Sequence, residues 1–242
     1  MSNTVTPYNE KDRSKKEQVE EMFDNIAGRY DFLNRLLSLG IDISWRKKAV
    51  AFLAPSQPKK IIDVATGTGD FAFELLSLKP EKVVGYDLSE KMLQVGREKS
   101  SKRNTTQQIE FIKGDSELMP FGDNEFDAIT VGFGVRNFEN LEKGLSEMYR
   151  ILKPNGKVAI LEVSRPHNRF IRTIYDLYFR YILPLVGKMF SKDVRAYNYL
   201  PESVVAFPQG TDFVAILNKI GFKKAQWQPL TLGTCALYTC EK

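Results

Sequence analysis

Apolar positions along the chain keep two different periods, and the changes between them mark its elements. From residue 19 to residue 53 they recur at every third or fourth position. Val19, Met22, Phe23, Ile26 and Tyr30 come first, then Leu33, Leu36, Leu37 and Leu39 up to Gly40, then Trp45, Val50 and Leu53 ahead of Pro55. That spacing predicts three short helices. Beyond residue 58 short apolar runs alternate with helical stretches: strands at 59–65, 82–87, 108–113, 126–132 and 157–163, and helices at 70–78, 90–102 and 141–152. Ser89 can cap the 90–102 helix, and Glu90 falls in its first turn. A turn at Lys153, Pro154, Asn155 and Gly156 closes the 141–152 helix. A helical stretch at 169–190, interrupted at Pro184, is followed by a helix at 211–220 that stops at Gly221. Strands at 222–228 and 233–241 end the chain.

Repeated strand–helix units imply a doubly wound α/β fold, a mostly parallel sheet with helices on both faces and right-handed crossovers. The last two strands form an antiparallel hairpin, expected at a sheet edge. Polar, aperiodic residues 1–17 read as a flexible N-terminal arm. Residues 18–242 then form one domain, with 18–56 as a helical cover ahead of the first strand.

Composition is that of an ordinary globular protein, 43% hydrophobic and 27% charged, with a formal charge of +5. Cys235 and Cys240 lie five apart on one strand, point to opposite faces and cannot bridge each other. With no disulfide framework, no apolar signal core in the first residues and no run near the roughly 18 apolar residues of a membrane span, a cytoplasmic location is expected.

The candidate chemistry begins at IIDVATGTGDF, residues 61–71. A short apolar strand runs through Gly67 and Gly69 into a helix, which sets free backbone N–H groups beside any ligand above the strand. Gly67, Gly69 and Ala72 satisfy G-x-G-x-x-A, so a dinucleotide is one candidate. Asp87, 20 residues after Gly67, can accept hydrogen bonds from a ribose diol of either NAD or S-adenosylmethionine. Other residues favour the second. Asp63, four residues before Gly67, suits a ligand with an amino group and a sulfonium and disfavours a pyrophosphate. Asp115 and Ser116 follow the third strand, where an acidic group can accept the adenine amino group. No second mononucleotide-binding half is present for a nicotinamide, and the terminal hairpin suits a seven-stranded methyltransferase sheet.

The chain also resembles the quinone-pathway C-methyltransferases from about residue 19 to its end. The resemblance is carried by MFDNIAGRYDFLN (22–34), DISWRKKAV (42–50), YDLSEKML (86–93), GDSELMPFGDNEFDAITVGFGVRNF (114–138), MYRILKPNGKVAILEVSRP (148–166) and YNYLPESVVAFPQG (197–210). Departures are Asn155 in a Pro-Gly-Gly turn, Val163 where Phe is usual, and Gly132 where Ser is often found. The resemblance implies a class I seven-stranded methyltransferase fold and S-adenosylmethionine contacts at Thr68, Asp87, Asp115 and Ser116. The glycines Gly67, Gly69 and Gly132 and the carboxylate of Asp63 complete the expected cofactor site. It also implies a prenylated naphthoquinol, demethylmenaquinol, as acceptor, with a polyprenyl-methoxybenzoquinol as the alternative.

A sulfonium makes its methyl group electrophilic, so transfer to a ring carbon needs no metal, and no cluster of His and Cys is present. The protein must hold the ring and stabilise a developing phenolate. Arg136 and Asn137, directly after the fourth strand, are the candidates, with Tyr199 and Tyr197 able to close over the ring and Tyr30 and Asp31 similar in the cover. An arginine is a poor base but can stabilise an oxyanion. An ion pair between Arg136 and a nearby acid is the competing reading. The single histidine, His167, falls in a loop after the fifth strand and reads as a surface residue.

Residues 165–195 carry seven Arg or Lys and two Asp among apolar residues such as Phe170, Ile174, Tyr178, Phe179, Ile182, Val186 and Phe190. Within a substrate-side lid at 165–210 this stretch suits peripheral contact with a membrane surface or a solvated helix face. A nucleic-acid-binding module without catalysis would need a concentrated basic, aromatic face, and no other stretch offers one, so no nucleic-acid partner is expected. A homodimer stays open.

Overall fold

Ile61 and Ile62 are both fully buried, yet they enter different packing clusters. Successive residues of a strand face opposite ways, so a strand buried by both side chains must be covered on both faces. In the computed structural model, which describes residues 5–178, 181 and 195–242, that strand is central. The described elements run α1 (Lys15–Ile26), α2 (Tyr30–Leu37), α3 (Ile41–Leu53), β1 (Lys60–Val64), α4 (Asp70–Leu75), β2 (Lys82–Asp87), α5 (Glu90–Lys102), β3 (Ile109–Lys113), β4 (Phe126–Gly132), α6 (Leu141–Ile151), β5 (Leu152–Val163), α7 (Arg169–Leu177), α8 (Arg195–Ala206), α9 (Thr211–Ile220), β6 (Lys223–Leu230) and β7 (Cys235–Glu241).

The seven strands are ordered β3-β2-β1-β4-β5-β7-β6, with β1 to β5 parallel and β7 antiparallel to both β5 and β6. Strand order reverses between β1 and β4, so the loops leaving them diverge and open a crevice at their C-terminal ends. One face packs Leu53, Phe71, Leu75 and Leu93 against the sheet; the other packs Leu145, Met148, Phe213 and Leu217. Cys235 and Cys240 are buried in opposite clusters, as their odd spacing requires.

The terminal antiparallel hairpin lies at a sheet edge, as expected. Within it β7 inserts between β5 and β6, which leaves β6 outermost, because six of the seven β7 residues are buried and need cover on both sides. Residues 5–14 are also more structured than a free arm. Helix α1 starts at Lys15 behind Ser14, which forms a reciprocal capping box with Glu17. The buried Gln18 side chain accepts from Tyr8 N and donates to the carbonyls of Glu10 and Arg13. At Asn155, where a turn is expected, β5 already runs from Leu152, and the extra residues form an irregularity in its pairing with β4. Helix α8 was not expected; Pro201 within it hides its period. Of the stretch at 169–190, α7 is described, while Phe179, Ile182, Leu183, Pro184, Val186 and Phe190 lie outside the described residues.

Candidate active site

After Val64 the backbone turns through three left-handed residues, Ala65 (φ +54°), Gly67 (φ +55°) and Gly69 (φ +86°). Gly69 is required twice over, since a Cβ there would also meet the Phe111 ring at 2.7 Å. The turn delivers the Gly67 N–H to the Asp87 carboxylate at 2.7 Å, and Ser89 N–H donates to the other oxygen at 2.9 Å. Burial pushes the Asp87 carboxyl up to about 6, and these N–H bonds oppose the shift.

Above the ends of β1 to β4 lies a cleft of about 730 Å3, its open mouth included. Of the residues singled out in the sequence, Gly67, Asp87, Asp115, Ser116, Gly132, Asn137 and Tyr30 line it, and Asp63, Thr68, Gly69, Arg136 and Tyr199 stand behind this wall.

Asp63 corrects the sequence expectation. Rather than facing a ligand, it is fully buried, with one oxygen accepting from Thr66 Oγ1 at 2.6 Å and the other from Thr130 Oγ1 at 2.7 Å. It ties the glycine turn to β4, and burial pushes its carboxyl up to about 7. Thr68 is likewise turned away, donating to Asp31 Oδ1, while Lys99 Nζ bridges Asp31 and Asp70 at 2.8 and 2.6 Å. That network fastens α2 and α5 to the glycine turn.

Arg136 sits in the short 3-10 turn Val135–Asn137 after β4. Its guanidinium is buried. Nη1 donates to Glu162 Oε1 at 2.7 Å and to the Phe133 carbonyl, and the backbone N–H of Arg136 reaches Glu162 Oε2 at 3.3 Å. The ion-pair alternative is therefore the observed arrangement. Burial opposes the guanidinium charge, but the Glu162 carboxylate beside it holds the pKa above its ordinary value. Among the described residues, Arg136 Nε finds no hydrogen-bond partner although it is buried. Asn137 reaches the cleft itself, and its Oδ1 accepts from the buried Tyr199 hydroxyl at 3.1 Å. Burial pushes that phenol up to about 12. Tyr30 also lines the cleft; the Tyr197 side chain lies outside the described residues.

One contributor was missed in the sequence: Glu162, whose signal was an acid directly after the apolar run 158–161. Helix α1, the first helix of the N-terminal cover, roofs the cleft through Lys16, Val19, Glu20 and Phe23. Polar contacts hold it down: Lys15 Nζ to the carbonyls of Arg136 and Phe138, both at 2.9 Å, Lys16 to Asp115, Lys113 to Glu20 at 2.7 Å, and Ser89 Oγ to Asp24 at 2.6 Å. Burial pushes the Lys15 ammonium down to about 8. His167 stays outside, edge-on to Trp227.

A seven-stranded sheet with a reversed β7, a glycine turn after β1 and an acid closing β2 defines the class I S-adenosylmethionine-dependent methyltransferase fold. A solved S-adenosylmethionine-dependent methyltransferase of Thermotoga maritima shares it with a TM-score of 0.62 at 21% identity, covering 92% of this chain and 99% of that one. In sequence, a demethylmenaquinone methyltransferase of Bacteroides fragilis is 50% identical over 98% of this chain and 97% of its own length. A ubiquinone/menaquinone biosynthesis C-methyltransferase of Geotalea daltonii is 46% identical over 94% and 97%. The profile of the ubiE/COQ5 methyltransferase family matches residues 11–242. The chain belongs to that family.

Proposed function

We propose that the chain transfers the methyl group of S-adenosylmethionine to a ring carbon of demethylmenaquinol, giving menaquinol. The observation that carries the donor is the charge of the cleft wall. Five carboxylates, Glu20, Asp87, Asp115, Glu117 and Glu139, face it against one ammonium, Lys16. Such a wall attracts a ligand bearing a sulfonium and an ammonium and repels a pyrophosphate. Asp87, preoriented by the Gly67 and Ser89 N–H groups, holds the ribose hydroxyls, and Asp115 with Ser116 holds the adenine. When bound, S-adenosylmethionine supplies an electrophilic methyl group.

The chain's own residues supply the rest. Asn137 and Tyr30 border the acceptor ring beside the cleft. Arg136, buried one residue behind Asn137, stabilises through its charge the oxygen that becomes negative as the ring carbon becomes nucleophilic, since a buried charge acts over a short low-dielectric path. The names of the relatives support the naphthoquinol. The test is quinone profiling of cells lacking the protein: demethylmenaquinone should accumulate, and an unchanged quinone pool refutes the assignment.

The name of the Geotalea relative favours a second reading, in which a polyprenyl-methoxybenzoquinol is also methylated; assays with both quinols distinguish the two. For such tailed substrates we assign peripheral membrane contact to α7. Phe170, Ile174 and Leu177 are exposed at helical spacing on one side, and Arg169 and Arg172 flank them. Co-sedimentation with anionic vesicles should be lost on replacing Phe170 and Ile174 by Ser.

A further inference from the structure

We infer that Glu162 is a positioning residue for methyl transfer, acting only through Arg136. The inference rests on the proposed role of Arg136 at the acceptor oxygen and adds the group that makes that role possible. Glu162 is the next-to-last residue of β5, the strand next to β4, so the register of the sheet brings its carboxylate beside the turn that carries Arg136. Its side chain is 1% exposed and that of Arg136 8%, so water does not complete the coordination of either.

The carboxylate grips Arg136 at two separate points. Oε2 receives the backbone N–H at 3.3 Å, which fixes the turn, and Oε1 receives Nη1 at 2.7 Å, which fixes the guanidinium. Oε1 in turn accepts from Val163 N–H at 2.9 Å, which fixes the carboxylate. With Nη1 also committed to the Phe133 carbonyl, rotation of the guanidinium is blocked and Nε is the buried donor left over. The pair lies directly behind the cleft wall, since Asn137, the next residue after Arg136, lines the cleft. A fully buried ion pair adds little to stability by itself. A pair placed one residue behind the wall of the site, with its buried Nε unspent, has the form of an orientation device.

The test is a double-mutant cycle on the full chain, with a soluble demethylmenaquinol analogue as acceptor and S-adenosylmethionine binding measured by calorimetry. Glu162→Gln removes the charge and keeps the shape. Its kcat should fall by about tenfold or more while the S-adenosylmethionine Kd stays within about twofold, the split expected when an interaction is made in the transition state alone. Arg136→Gln should lose more. In the double variant, with no charge left to orient, turnover should match Arg136→Gln within about twofold, because a residue that acts through another adds nothing once the other is gone. The double variant also replaces a buried unpaired cation by a neutral amide pair, so it folds where Glu162→Gln alone fails to.

Full turnover in Arg136→Gln refutes the role of Arg136. Loss in Arg136→Gln with full turnover in Glu162→Gln refutes the positioning role of Glu162 alone. A further loss of about tenfold in the double variant also refutes it, since Glu162 would then have an effect independent of Arg136.

Discussion

The ring of Phe111 occupies a slot walled by three glycines, which makes Gly96→Ala a test of the packing beneath the cofactor turn. A Cβ added at Gly69, Gly85 or Gly96 would lie 2.7, 2.9 or 2.7 Å from a carbon of that ring. Gly96 lies inside α5, where replacement by alanine elsewhere gains about 0.5–1 kcal/mol. Here the ring cannot retreat, because its other sides meet the backbone of Gly69 and Gly85. Overpacking of this kind costs about 1–3 kcal/mol, which exceeds the gain and leaves a net loss of about 0.5–2 kcal/mol. In a chain of this size that lowers Tm by about 1–8 °C. Thermal melting followed by circular dichroism measures it. Phe111→Leu in the same background, by shortening the ring side chain, should recover most of the loss, a coupling of about 1–2 kcal/mol. A Gly96→Ala protein that melts at or above the parent temperature refutes the slot.

Asp63 gives a pH prediction. Burial raises its carboxyl from 3.8 to about 7, so the folded chain holds a proton that the unfolded chain has released between these values. Its contribution to stability is therefore full below 3.8 and is lost as pH rises through about 7. Asp63→Asn should flatten the fall of the urea midpoint over that window; an unchanged slope places the titration elsewhere. Asp87→Ala should weaken S-adenosylmethionine binding by about 10–100-fold in calorimetry, the loss of one or two charge-assisted hydrogen bonds, and equal affinity removes Asp87 from the ribose site. Lys16→Ala frees Asp115 from a half-exposed ion pair of at most about 1 kcal/mol, so cofactor association in stopped flow should quicken by up to about fivefold. Slower association would mean that Lys16 helps to capture the ligand rather than competing with it.

What was legible in the sequence was local. Period and caps place β1 to β4, α5 and α9 within a residue or two, because each is set by its own side chains and by Ser89, Gly69 or Gly221. The pairing of β7 between β5 and β6 was not legible, since strand order depends on which faces remain to be covered once the others have packed. Helix α8 escaped because Pro201 reads as a stop, and the start of α1 escaped although Ser14 and Glu17 spell a capping box. In the site, the motifs marked the correct strand ends. They did not distinguish a side chain that faces the cleft from one that holds another in place.

That distinction follows from the sheet itself. At the end of a parallel strand, alternate side chains point up and down, and the loop that follows carries the first groups free to face a ligand. Asp63 lies within β1, so its carboxylate is committed to the hydroxyls of Thr66 and Thr130. Asp87 ends β2, and its carboxylate reaches the cleft with its oxygens already oriented by N–H groups. Glu162 lies one residue short of the end of β5 and, like Asp63, turns inward to hold a neighbour. The rule separates wall from support for these three acids by their distance from the strand end. It also explains why Glu162, in an apolar strand and out of reach of the cleft, still bears on the reaction: a buried carboxylate there must have a partner, and its partner is the arginine next to Asn137.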